Sequence, residues 1–180
     1  MRRGWVAVLV VLIGVSWTPG HARAQQAPSD EMPVWFTLGV GPFRDYEPRI
    51  FSGHAPNALA LMGHVSFETR YGMLTGGVTT DLLDLDTNID HTYGVDALYG
   101  WRVTPGGGVY VAASTGVSTI AMHTYAGLVT DKVVTVGLPI LAQITATSRN
   151  WGFGGQFYTN LNSHRSFYAA TLAAQVGRIW

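Results

Sequence analysis

From Val34 to the end of the chain, apolar residues recur at every second position, the period of a β-strand with two unlike faces. The first run sets Val34, Phe36, Leu38 and Val40 against Trp35, Thr37 and Gly39. The second sets Leu59, Leu61, Val65, Phe67 and Tyr71 against Ala60, Met62, His64, Ser66, Glu68 and Arg70. In the third, Leu74 and Val78 oppose Thr75, Gly77, Thr79 and Asp81. The fourth places Tyr93, Val95, Ala97, Tyr99 and Trp101 opposite Gly94, Asp96, Leu98, Gly100 and Arg102. Four more runs follow, beginning near Val109, Val134, Trp151 and Tyr168. No helical stripe competes with them. The stretch from Val103 to Thr130 lacks Asp, Glu, Lys and Arg, which also suits a membrane helix. Pro105 and the three glycines after it break such a helix, and the β-branched content of Val109–Thr119 favours a strand.

The connections alternate in length. Pro42–Asn57, Leu82–His91 and His123–Asp131 read as long loops, and Asn160–Arg165 as a medium one. Between them lie tight turns at Gly72, Thr104–Gly107 and Thr147–Asn150. Eight strands with one loopy end and one trimmed end predict an antiparallel up-and-down barrel.

Charge decides which face is wet. Charged residues are 12% of the chain, about half the usual share of roughly 25% for a soluble domain. The non-apolar strand face carries Gly, Ala, Ser, Thr and Gln with few ions, too small and too neutral for a soluble exterior. It suits the packed interior of a narrow barrel. The Leu, Val, Phe and Tyr face suits hydrocarbon, where every backbone polar group must be paired and the sheet must therefore close. The expected fold is all-β: an eight-stranded antiparallel transmembrane β-barrel over residues 34–180. Trp35, Tyr71, Trp101, Trp151 and Trp180 fall near the trimmed end and are expected to form an interfacial girdle, with Arg178 close to the same interface.

The first residues read as an address. Arg2 and Arg3 precede the apolar run Val6–Val15, which is too short to span a bilayer, and Ala22-Arg23-Ala24 has the small-x-small pattern of a signal-peptidase site. Residues 1–24 are thus expected to be a cleaved signal peptide and 25–33 a short periplasmic segment, with both barrel termini periplasmic. Removal of Arg2, Arg3 and Arg23 lowers Lys plus Arg from 11 to eight against 11 acids, and Lys132 is the single lysine. A negative chain is no nucleic-acid binder. With no cysteine, the sequence excludes disulfides, thiolate metal sites and a lipid-anchored N-terminus.

Candidate chemistry is sparse. His64, Ser66 and Glu68 share one strand face, and His, Ser and an acid are the ingredients of a hydrolase triad. Residues two apart on a strand lie about 6.6 Å apart, too far for a nucleophile–base bond without favourable rotamers. The competing expectation is a lumen polar network of His64, Ser66, Glu68, Arg70, Asp96, Arg102, Gln143, Gln156 and Gln175, since buried polar groups must be satisfied. Ser163-His164-Arg165-Ser166 reads as a polar loop tip. Asp84, Asp86, Asn88 and Asp90 alternate like the start of a calcium loop, but Ile89 replaces the required Gly and Val95 the closing Glu. A solvated acidic loop is expected there. No phosphate-binding loop, metalloprotease motif or redox motif is present in the sequence, and no cofactor is expected.

As a pattern over Val34–Trp180 the chain resembles the small outer membrane β-barrel proteins, of the size of OmpX and the OmpA membrane domain. Two local features add to the likeness. The terminal Trp180, preceded by alternating Leu172, Ala174 and Val176, resembles the C-terminal signal read by the outer-membrane assembly machinery, with Trp in place of the commoner Phe. Val136-Gly137-Leu138-Pro139-Ile140-Leu141 is similar to the x-x-I-P-L-L strand of outer membrane beta-barrel domain families. The His64-x-Ser66 pair resembles the motif of lipid A deacylases, although Phe67 stands where that motif has Asn. The resemblance implies the cell outer membrane as location, with outer membrane lipid and the assembly machinery as partners. A barrel of eight strands has a side-chain-filled interior and is not an open porin. The leading expectation is a structural or surface-interaction role, with unidentified loop partners. The alternatives are a lipid-modifying hydrolase and a soluble periplasmic lipocalin-like barrel that binds an apolar ligand.

Overall fold

The computed structural model describes residues 32–46, 58–84, 91–126 and 129–179. Its strands are β1 (Val34–Asp45), β2 (Ala58–Thr69), β3 (Gly72–Asp84), β4 (His91–Gly106), β5 (Val109–Ala126), β6 (Val129–Thr147), β7 (Trp151–Asn162) and β8 (Phe167–Arg178). Each pairs antiparallel with its chain neighbours, and β1 pairs with β8 to close the barrel. Residues 1–31 and Trp180 lie outside the described residues, and with them the expected signal peptide and the terminal aromatic.

The faces divide as the alternation predicts. Val95, Val136 and Leu172 expose 63%, 66% and 65% of their surfaces on the outer wall. Their chain neighbours Asp96, Gly137, Thr171 and Ala173 are buried inside. The outer wall is an apolar belt and the inner wall is mixed, the reverse of a lipocalin-like barrel.

Four places define or interrupt the ladder, and one of them differs from expectation. His123–Asp131 is not a long loop. The β5–β6 pairing runs up through His123↔Lys132 and Thr124↔Asp131 to Ala126↔Val129. Side-chain alternation in the sequence no longer marks the strands there, while backbone pairing continues. At the opposite end Gly107 and Gly108, with φ of 65° and 73°, make the β4–β5 turn in a conformation that side chains with a Cβ rarely adopt. Within β6, Pro139 has no N–H to give β5. The β5–β6 register passes from Thr115↔Ile140 to Ser118↔Gly137, and the Thr115 hydroxyl donates to the Pro139 carbonyl at 2.8 Å. The closing β1–β8 seam has a similar gap between Val40↔Leu172 and Phe43↔Ala169, at Gly41 and Pro42.

The interior is packed in two apolar clusters. One gathers Phe43, Met62, Ile120, Met122, Tyr158 and Phe167 with small residues around them, and it reaches the loop end. The other holds Trp35, Met73, Tyr110, Ala112 and Ile179 at the turn end. Buried polar side chains from the middle stretches of the strands complete the filling. Interior glycines make room for the larger of these. A Cβ on Gly77 would stand 2.2 Å from the His64 ring, and one on Gly137 would stand 2.1 Å from the Asn160 amide oxygen.

Candidate functional site

The polar residues expected in the lumen do not form one network. His64 of β2 is buried, and neither ring nitrogen has a protein hydrogen-bond partner among the described residues. Ser66 bonds instead to the Thr75 hydroxyl across the β2–β3 pair at 2.9 Å. Glu68 is ion-paired with Arg102. The three ingredients of a triad therefore sit on one strand face, yet each faces a different neighbour. The Ser–His contact that would activate a nucleophile is missing.

Arg70 is a correction. It stands exposed in the β2–β3 turn with its guanidinium 4.5 Å above the Tyr71 ring. Strand β2 ends at Thr69, so the inward phase does not extend to Arg70.

The groups that do converge are partly ones the sequence left unmarked. Tyr158 donates its hydroxyl to Asp96 at 2.9 Å, and the Thr79 hydroxyl reaches the other Asp96 oxygen at 3.4 Å. The Asn160 amide donates to Ser118 at 2.6 Å and to the Tyr158 hydroxyl at 3.1 Å. Gln156 donates to Gln143 at 3.1 Å and accepts from Thr171 at 3.4 Å. Gln175 accepts from Tyr110 at 2.6 Å. Tyr110, Tyr158 and Asn160 could have been found from their inward phase alone. These bonds link side chains of β3, β4, β5, β6, β7 and β8 through the lumen.

At the turn end, Arg102 closes the interior. Besides Glu68 it reaches the Ile179 carbonyl at 2.8 Å, and its guanidinium lies 5.1 Å from the Trp35 ring and 5.4 Å from Tyr110. Trp35 is a second correction. It is buried in the lumen rather than set in a girdle, because β1 sends Val34 and Phe36 outward and Trp35 between them inward. Tyr71, Trp101 and Trp151 do stand on the outer wall, exposed by 64%, 52% and 60%. The Tyr99 hydroxyl donates to the Tyr71 carbonyl, and the Tyr99 ring meets Trp101 edge-on at 5.3 Å. Trp180 lies outside the described residues.

At the loop end, Arg165 of the β7–β8 connection is ion-paired with Asp45 of β1. The Tyr46 hydroxyl lies 3.0 Å from that of Thr159, and its ring lies 5.3 Å from Tyr168. His164 is exposed beside them, and Asn162 accepts the backbone N–H groups of His164 and Arg165. Ser163–Ser166 is thus a tied turn. Of Asp84, Asp86, Asn88 and Asp90, only the backbone of Asp84 is among the described residues.

No family model matches the chain, and no curated protein does. Solved structures do. Neisserial surface protein A superimposes with a TM-score of 0.61 at 11% identity, covering 83% of this chain and 97% of that one. Ail, the attachment invasion locus protein of Yersinia pestis, gives 0.61 at 10% identity, covering 82% and 99%. The fold is that of the small outer membrane β-barrels. The N-terminal β-barrel domain of OprF from Pseudomonas aeruginosa gives 0.58 at 13% identity, covering 82% and 99%. At these identities the likeness is one of fold, and the strand faces described above supply the chemistry that goes with it.

Proposed function

We propose that this protein is an integral outer membrane barrel with a structural or surface-interaction role, exerted at its loop end rather than through its lumen. The observation that carries the reading is the apolar outer wall, with Val95, Val136 and Leu172 strongly exposed, around clusters of buried side chains. The tight turns and both strand termini lie at one end, which the reading assigns to the periplasm, and the longer connections at the other. Two structures with this fold carry surface roles in their names, a surface protein and an attachment protein, and this supports the same side of the molecule as the working one. Ser66 and Glu68 have separate partners and His64 hydrogen-bonds to neither, which does not favour a hydrolase.

The test is gel mobility of the protein from fractionated envelopes, with a short epitope inserted between β1 and β2. The expected result is outer membrane fractionation, a mobility shift on boiling in SDS, and an epitope reached by antibody on intact cells. A soluble periplasmic protein with identical mobility before and after boiling would refute the membrane reading.

A further inference from the structure

At the upper edge of the apolar belt, three strands place a row of basic side chains side by side. His91 of β4 is in register with His123 of β5, and His123 is in register with Lys132 of β6. All three follow the outward phase of their strands, in line with Tyr93 on β4 and with Val134 and Val136 on β6. Neighbouring outward residues on paired strands have Cβ atoms about 5 Å apart, so the row spans roughly 10 Å. Directly beneath it the Tyr93 ring lies 6.3 Å from His91 and 6.2 Å edge-on from His123. Tyr93 is 51% exposed, and the belt continues below it with Val95. A cationic row standing on an aromatic ring at the rim of a hydrocarbon belt is at the height of lipid headgroups.

We infer that the His91–His123–Lys132 row binds the phosphate of an outer-leaflet lipid. The inference rests on the membrane reading above. Lys132 supplies a permanent positive charge on the only lysine of the chain. The two imidazoles supply N–H donors beside it. Acidic residues also lie near the row. Asp81 of β3 has an oxygen 3.8 Å from His91 Nδ1, but its side chain is almost wholly buried and also accepts the Thr92 N–H at 2.7 Å. Tyr93 is the neighbour on β4, Asp90 is the chain neighbour of His91, and Asp131 is the chain neighbour of Lys132. Elsewhere on the loop-end rim the pattern differs: Arg165 is already paired with Asp45. The geometry therefore favours a phosphate on the β4–β6 side, with its acyl chains running down past Val95, Val134 and Val136.

The experiment uses the mature chain refolded into phosphatidylcholine vesicles, with folding established first by the boiled-versus-unboiled mobility shift. Binding of spin-labelled phosphatidic acid, relative to spin-labelled phosphatidylcholine, is read from the motionally restricted fraction. The expected result is a several-fold preference for phosphatidic acid. That preference should be lost in the folded His91→Gln/His123→Gln/Lys132→Gln variant and kept in Lys132→Arg. Equal binding of both lipids by the folded wild type would overturn the inference. So would an undiminished preference in the triple variant, or its displacement by inorganic phosphate, which would mark a soluble-anion site. A chain that fails to insert at all would refute the membrane reading instead, and the gel distinguishes that outcome.

Discussion

The two ends of the lumen are closed by different means. The loop end is filled mainly by hydrocarbon, with Phe43 and Phe167 in ring contact at 4.7 Å beside Tyr158 and Met122, and the Arg165–Asp45 ion pair lies at the same end. The turn end is closed by Arg102, whose charge is met by Glu68, by the Ile179 carbonyl and by the faces of Trp35 and Tyr110. A plug of rings loses contacts in proportion to the volume removed. A plug built on one guanidinium loses every contact when that group goes. The same closed shape therefore has two different sensitivities, one graded and one all-or-none.

Phe167→Ala tests the first. It removes a fully buried ring and should cost about 3–5 kcal/mol in urea unfolding of the vesicle-bound barrel, read by tryptophan fluorescence. Phe167→Leu should recover much of that loss. A cost below that of ordinary surface substitutions would show that the loop-end rings are not packed as described. Arg102→Met should cost about 2–3 kcal/mol, less than a wholly buried pair because the Glu68 side chain remains 28% exposed. Here Arg102→Lys should rescue little, since an ammonium cannot make the forked contact or lie flat on the rings. Because the two clusters share no residue, the Phe167→Ala and Arg102→Met losses should add to within about 0.5 kcal/mol. A larger coupling would mean that the lumen behaves as one unit. The smallest effect belongs to the region between the plugs. Gly77→Ala puts a methyl into the His64 ring and should cost about 1–3 kcal/mol, relieved in the Gly77→Ala/His64→Ala double variant.

How far the sequence could be read depended on where the alternation has a physical cause. Within the belt, one face touches hydrocarbon and the other the packed interior, so Val95 and Asp96 are told apart by composition alone. Trp35 shows the strength of that rule. Its phase places it inside with Thr37, and only its nearness to a strand end argued for a girdle. Arg70 and the tip of the β5–β6 hairpin lie outside the alternating runs, where the signal ends. The pairing of His123 with Lys132 is set by backbone hydrogen bonds, which leave no mark on side-chain type. The hydrogen-bond partners inside the lumen were also out of reach of the sequence. Alternation gives the direction of Ser66 and His64 but not the twist and stagger that put Thr75 against one and the flank of Gly77 against the other.

The pairing of Val34 with Arg178 means that the first and last strands must find each other before the wall is whole. Until then the growing sheet has two unsatisfied margins, each able to recruit a strand from another chain. The gap at Gly41 and Pro42 falls on this same junction, and it gives that margin fewer hydrogen bonds with which to capture a stranger. Closure of the circle removes both margins at once.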